Sequence, residues 1–293
     1  MTQLLQYILD AISVGSTYAM LALGLTLVFS VMNLINFAYG LLLVAAGYTV
    51  FALGGTALPF WLIAILAVLV STILSMVMGR IAFKPFIGAP PITLLITSFG
   101  VLLVGQYIAI LIFGEQPRIL QVPSYLTSVV TFGDLRIPAI QIVAIVAGVL
   151  VVSGFYALLY RTPFGMKLRA SAEIPSTARL MGIKPDRVLL YAFAVSGAIA
   201  GIAGLIWFIK VGVVTPRSDL DPTLKAFIGL VLGGLGRISG AIMGGLALGI
   251  IEVSMVVLLP DSLLAFTPSI VFAIVILILV MRPDGLSSRK GVS

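Results

Sequence analysis

The sequence predicts an all-α integral membrane protein, a polytopic helix bundle of about eight to nine transmembrane segments, and three observations predict it. Hydrophobic residues fill 61% of the 293 positions and charged residues only 9%, against roughly 25% charged in ordinary soluble domains. A water-soluble core cannot absorb that much apolar surface. No Asp, Glu, Lys or Arg occurs between positions 11 and 79, and further charge-free stretches run over 85–114, 137–160, 188–209 and 262–281. These runs are apolar on every side rather than alternating, so helices and not barrel strands span the bilayer. At about 20 residues per crossing, helices and short loops use up the chain, which leaves a single transmembrane domain over 1–293.

Helices are expected at 9–30, 34–53, 58–79, 91–113, 138–160 and 188–209, followed by a short or broken segment at 225–236 and then 239–259 and 265–281. Pro91 and Pro138 stand at first-turn positions, where the missing N–H costs nothing. Residues 1–9 lack the basic region of a signal peptide, so the first apolar run is expected to be retained. Helices 9–113 and 188–281 run in opposite senses around the connector 138–160. That layout fits an inverted repeat, the architecture of many transporters, although hydropathy spacing alone produces the same layout.

Orientation follows from the Lys and Arg count, because short loops rich in them stay in the cytoplasm. One side carries 12 of the 17 (80, 84, 161, 167, 169, 179, 184, 187, 237, 282, 289 and 290), the other Arg118, Arg136, Lys210, Arg217 and Lys225. The N-terminus is therefore expected outside and the C-terminus inside. Trp61 and Trp207 fall at the outer helix ends, where indole rings prefer the headgroup level.

Composition also excludes functions. The chain has no Cys and no His, which removes disulfides, thiolate nucleophiles, most zinc sites and imidazole acid–base chemistry. The net charge of +7 is spread over loops rather than along one stripe, so membrane lipid and not nucleic acid is the expected partner. No G-x-x-x-x-G-K-S/T phosphate loop, nucleophile elbow or paired-carboxylate site occurs. No cofactor is expected on this chain, and energy must come from a partner or a gradient. A membrane enzyme or assembly factor has no catalytic constellation behind it.

Several features point to a transport route. Glycines four apart (197 and 201, 229 and 233, 240 and 244, 245 and 249) let helix backbones approach, and ordinary packing accounts for each pair. The run from Gly233 through Gly236 to Gly240 is too glycine-rich for continuous helix, and broken backbone at membrane depth is tolerated only inside protein or beside a cavity. A second break falls at Asn33, Asn36 and Tyr39. The amides there either form a tight turn, with Asn36 capping the next helix, or line the route, since interruptions in both halves point to a translocation path. Glu252 is an acidic residue deep in an apolar helix, a functional candidate by default; a structural hydrogen bond to a neighbouring helix is the alternative.

The loop 161–187 carries six basic and two acidic residues with many small ones. Residues 164–173 suit a short amphipathic helix, Pro175 the first turn of a second, and Gly182 its stop. Two such helices offer a surface for another protein, whereas lipid anchoring needs the charges alone.

From Gly165 to Glu173, through 178–183 and 186–188, this loop resembles that of LivH-type permeases of branched-chain amino-acid ABC importers. Residues 15–24, 32–40 and the glycine run through Glu252 extend the resemblance over nearly the whole chain. It implies a bacterial inner-membrane permease paired with a second, LivM-like permease subunit, two cytoplasmic ATPases that hydrolyse the ATP, and an extracytoplasmic substrate-binding protein. Gly165, Arg169, Ala170, Glu173, Ala178 and Gly182 would then form the ATPase-coupling surface, and Asn33, Asn36, Tyr39, Gly233, Gly236 and Glu252 the substrate path and gates. Ile174-Pro175 departs from the more polar pattern expected there. Leucine, isoleucine and valine are the first substrate expectation, urea or short amides the alternative within the family, and a stand-alone secondary transporter the alternative outside it.

Overall fold

The computed structural model describes residues 2–32, 35–133, 135–173, 181–182, 185–282 and 285. The first half contains α1 (Thr2–Met32), α2 (Tyr39–Gly54), α3 (Phe60–Met78) and α4 (Pro91–Phe113), with a π turn (Gly79–Phe83) and a 3₁₀ turn (Lys84–Phe86) after α3. A connecting segment follows, with β1 (Arg118–Ile119), α5 (Ser124–Thr127), β2 (Val129–Phe132) and β3 (Leu135–Pro138). Next come α6 (Ala139–Arg161), α7 (Pro163–Glu173), α8 (Pro185–Val211), β4 (Val213–Val214), α9 (Leu220–Gly233), α10 (Ile238–Leu258), a 3₁₀ turn (Asp261–Phe266) and α11 (Thr267–Met281).

Among the described residues, seven helices are long and apolar enough to cross a bilayer, α11 when taken with the 3₁₀ turn ahead of it as Asp261–Met281. The span expected at 34–53 is instead the short helix α2, with 16 residues, and the short or broken segment expected at 225–236 is the short helix α9, with 14. At 1.5 Å per residue these rise about 24 and 21 Å, less than the roughly 30 Å of hydrocarbon. Helix α9 starts earlier than expected because Asp221 and Pro222 both suit a first turn.

Helix α1 begins at Thr2 rather than near position 9, since tertiary partners hold its polar first turns. The Gln6 amide donates to the Arg136 carbonyl (2.8 Å) and accepts from the Arg136 N–H (3.2 Å), while Gln141 donates to the Asp10 carboxylate (2.8 Å). Hydropathy reports where a helix enters lipid, not where it starts. Strands were not expected at all. The β2–β3 hairpin turns through Gly133 at φ 61°, and β1 pairs with β4, Arg118 opposite Val214.

Helices α1 and α8 form the centre, with 83% and 72% of their most apolar windows buried, against 11% for α4 and 17% for α11. Small residues set the spacing. Side chains on Gly245 and Gly249 of α10 would collide with the α1 backbone at Ala19 and Gly15. Hydroxyls tie the middle together: Ser71 donates to the Leu42 carbonyl (2.7 Å), Ser75 to Phe193 (2.6 Å) and Ser196 to Gly24 (2.7 Å).

Candidate functional site

The two short helices begin against each other. Gly40, in the first turn of α2, leaves no space for a side chain beside the Thr223 hydroxyl and the Asp219 carbonyl at the start of α9. Ser71, midway along α3, bonds to Leu42, so the start of α2 lies deep in the bundle rather than at its surface. On the other side the Gln106 amide of α4 donates to the buried Asp219 carboxylate at 2.9 Å. Phe37, just before α2, stacks on Phe99 of α4 with centroids 4.6 Å apart.

One turn further along α9 lies an intramembrane charge cluster. The Lys225 ammonium contacts the Glu252 carboxylate of α10 at 2.5 Å, and the Tyr18 hydroxyl of α1 donates to the same oxygen at 2.8 Å. The ammonium also sits 5.2 Å from the Tyr18 ring centroid, close enough for a cation–π attraction. The Lys225 and Glu252 side chains are only 13% and 24% exposed. A single charge in this position would be expensive, and the pair sets each charge against its opposite, with the Asp221 carboxylate of α9 close enough to act on both. Lys225, expected at the outer edge of the segment 225–236, lies in the second turn of α9 with Glu252 as its partner. The sequence carried only a partial signal: Lys225 lies eleven residues before Gly236 and Glu252 sixteen after it, so a tight hairpin there leaves the two about 8 Å apart in depth, a gap that a long lysine side chain can span.

The other expected path residues fall in different surroundings. Asn33 lies outside the described residues. Asn36 is buried, and its Oδ1 accepts the Ala38 N–H at 3.1 Å, closing a turn just ahead of α2. Tyr39 is wholly buried against Gly24, and its hydroxyl has no hydrogen-bond partner among the described residues. Gly233 ends α9 with its Cα against the Gly240 carbonyl, and Gly236 takes φ 76° in the turn to α10. Trp61 is exposed at the start of α3, while Trp207 packs on Tyr18 with ring centroids 6.2 Å apart.

At the opposite end of the bundle, α6 turns into α7 through Thr162, whose hydroxyl accepts the Gly165 N–H at 3.2 Å. A side chain on Gly165 would strike the Leu159 carbonyl, so α7 folds back tightly on α6. Buried Leu168 and the edge-on contact of Phe164 with Tyr191 (5.9 Å) fasten its inner face. The Arg169 guanidinium lies 4.7 Å from the Tyr160 ring centroid and stays exposed, with Ala170 half-buried beside it. Gly182 takes φ 78°. Glu173 closes α7, and Ala178 lies outside the described residues. Lys167, Gly182, Arg187 and Tyr191 help to line an open cavity of about 420 Å³ between α7 and α8.

Among the described residues no cluster of three acidic, His or Cys side chains could hold a metal ion. What the cluster of Tyr18, Lys225 and Glu252 can do is hold a short helix in place by pairing opposite charges.

The family model for the permease component of branched-chain amino acid transport systems matches residues 7–281. The permease protein BraD of a high-affinity branched-chain amino acid transport system in Pseudomonas aeruginosa is 29% identical over 302 residues, covering 98% of this chain and 97% of the relative. A probable branched-chain amino acid transport permease, LivH of Methanocaldococcus jannaschii, is 33% identical over 254 residues, 83% of this chain and 78% of the relative. More distantly, the ribose import permease RbsC of Haemophilus influenzae is 26% identical over 292 residues, 97% of this chain and 86% of its own. No solved structure matches. A match over nearly the full length, on a bundle with seven membrane-length helices, means that the chain belongs to the family of permease components of branched-chain amino acid transport systems.

Proposed function

We propose that this chain is a membrane-embedded permease subunit of an ATP-driven importer for leucine, isoleucine and valine. It works beside a LivM-like permease, two cytoplasmic ATPases and an extracytoplasmic binding protein. The observation that carries the reading is the match of residues 7–281 to the permease family, joined to a short helix, α7, clamped against α6 and α8 with Arg169 and Met166 facing outward. A rigidly seated, outward-facing elbow can pass a push from an ATPase into α6 and the central helix α8. Gly165, Arg169, Ala170, Glu173, Ala178 and Gly182 form the coupling surface in this reading. The N-terminus lies outside and the C-terminus inside, in keeping with the excess of Lys and Arg on the α7 side.

The route runs past the two breaks, where Asn33, Asn36 and Tyr39 precede or open α2, and where Gly233, Gly236 and Glu252 flank the turn after α9. The order of long helix, break, short helix and two long helices occurs from α1 to α4 and again from α8 to α11, which supports an inverted repeat around α6. In that arrangement the short helices are the moving parts, and Lys225–Glu252 fastens α9 to α10 in this state.

The test is co-expression with candidate ATPase, permease and receptor partners, then uptake into proteoliposomes. Receptor-dependent, ATP-dependent leucine accumulation that stops when the ATPase phosphate-loop lysine is changed is the expected result. Accumulation by this subunit alone on an ion gradient would overturn it.

A further inference from the structure

We infer that the cleft between the ends of α3 and α8 nearest α7 binds the phosphodiester headgroup of an anionic phospholipid. The argument begins on α3, where Trp61, Ile65, Leu69, Ile73 and Val77 are all exposed. Spaced by four, they form one apolar face along the whole helix. The face does not stop at the helix end. The π turn Gly79–Phe83 carries Arg80 and Ile81 onward, with Arg80 exposed and Ile81 69% exposed. An apolar stripe that terminates in an arginine is what lipid-facing helices show where hydrocarbon gives way to headgroups.

From the other side comes Arg187, in the first turns of α8. Gly79 lies against the Phe193 ring, and Ser75 donates to the Phe193 carbonyl at 2.6 Å, which fixes the two helix ends together. Gly79, Arg80, Lys84, Arg187, Leu189 and Leu190 line a cavity of about 440 Å³ between them. Among the described residues neither Arg80 nor Arg187 makes an ion pair. Two guanidinium forks around one cavity suit the oxygens of a phosphodiester, which each can grip with two parallel N–H bonds. A soluble phosphate would fill the same charges but would leave the stripe bare. Acyl chains attached to the phosphate cover the stripe, and the leucines at the cavity wall continue that apolar contact. The lipid therefore satisfies both halves of the surface.

The experiment uses the assembled transporter in detergent, stripped of lipid and titrated with phosphatidylglycerol or phosphatidylcholine of identical chains, with bound lipid counted by native mass spectrometry. Wild type is expected to hold one phosphatidylglycerol per copy of this chain about thirtyfold more tightly than phosphatidylcholine, the preference that two arginines near a headgroup supply. In R80Q/R187Q the preference should fall to about threefold or less. Should the double variant fail to assemble, R80Q and R187Q alone are each expected to lose roughly fivefold. Equal retention of the two lipids by wild type, an undiminished preference in the variants, or displacement of the lipid by equimolar inorganic phosphate would each overturn the assignment.

Discussion

The sharpest prediction concerns the pair Lys225–Glu252. Removing one member of a fully buried ion pair costs about 3–5 kcal/mol because the other charge is left unpaired, whereas replacing both with well-packed apolar groups is often neutral. Here the side chains are 13% and 24% exposed, which lets some water reach a bared charge and brings each single substitution to about 2 kcal/mol. In Glu252→Gln the amide oxygen still accepts from Lys225, but the neutralising charge is gone. In Lys225→Met the carboxylate keeps only the Tyr18 hydroxyl. The double variant keeps a hydrogen bond from the Tyr18 hydroxyl to the amide introduced by Glu252→Gln, with no charge to desolvate, so it should lose about 1 kcal/mol. The two single losses exceed the double by about 3 kcal/mol, the top of the range for directly coupled residues. A double-mutant cycle on the thermal unfolding of the assembled transporter reads this out. Each single variant should melt about 4–8 °C lower, and the double close to wild type. A double variant as damaged as the two singles combined would refute the reasoning, because the groups would then be acting through separate contacts.

Three further outcomes follow from named contacts. Tyr39→Phe removes a buried hydroxyl with no partner among the described residues, so it should leave stability unchanged or raise it by about 1 kcal/mol; a fall in uptake at unchanged stability would show that the hydroxyl meets the solute. Gly244→Ala forces a methyl into the Gly229 carbonyl and should cost about 2 kcal/mol or more through helix separation, measured as loss of folded protein on fluorescence-detected size exclusion. Gly182 sits at φ 78°, which proline cannot adopt, so Gly182→Pro, like Arg169→Glu, should leave the chain inserted and the ATPases turning over while uptake falls by about tenfold; normal uptake in both variants would remove this elbow from the coupling pathway.

Much of the bundle was legible because charge is so costly in lipid. Helices α4, α6, α8 and α11 match charge-free runs to within about six residues, and Gly233 to Gly240 was readable as a break because no helix tolerates that many glycines. Three things were not legible. Period and hydropathy cannot say how deep a helix begins, so 34–53 read as a span, and nothing in the sequence showed that α2 and the short α9 start beside each other. Lys225 read as the outer edge of the segment 225–236 because a lone cation near Asp221 resembles a boundary, and only the assembled hairpin shows that it meets Glu252 on α10. The hydrogen bonds of Gln6, Gln106 and Gln141 join residues more than a hundred positions apart, a distance over which one sequence carries no signal.

The link between α4 and α9 makes the last case, and it bears on how the bundle can move. Helix α4 is the least enclosed of the membrane-length helices, with 11% of its apolar window buried. Gly105 against Leu41, the Phe37–Phe99 stack and the Gln106–Asp219 hydrogen bond are specific ties between it and the breaks. Only the last is polar, and it reaches Asp219, the residue immediately before α9. Gln106→Leu therefore strands a buried carboxylate and should cost about 1–3 kcal/mol, while freeing α9 from α4. Asp219→Asn keeps a hydrogen-bonding group in the same place and removes the charge, so it should cost less than Gln106→Leu and restore stability when combined with it. If α4 is only a lipid-facing buttress, both variants should shift melting alone. If α4 carries the motion of α9, Gln106→Leu in the assembled transporter should raise ATP hydrolysis without receptor severalfold while uptake falls. Unchanged basal hydrolysis in a stable Gln106→Leu transporter would leave α4 a buttress and place the moving contact on the α10 side, at Lys225 and Glu252.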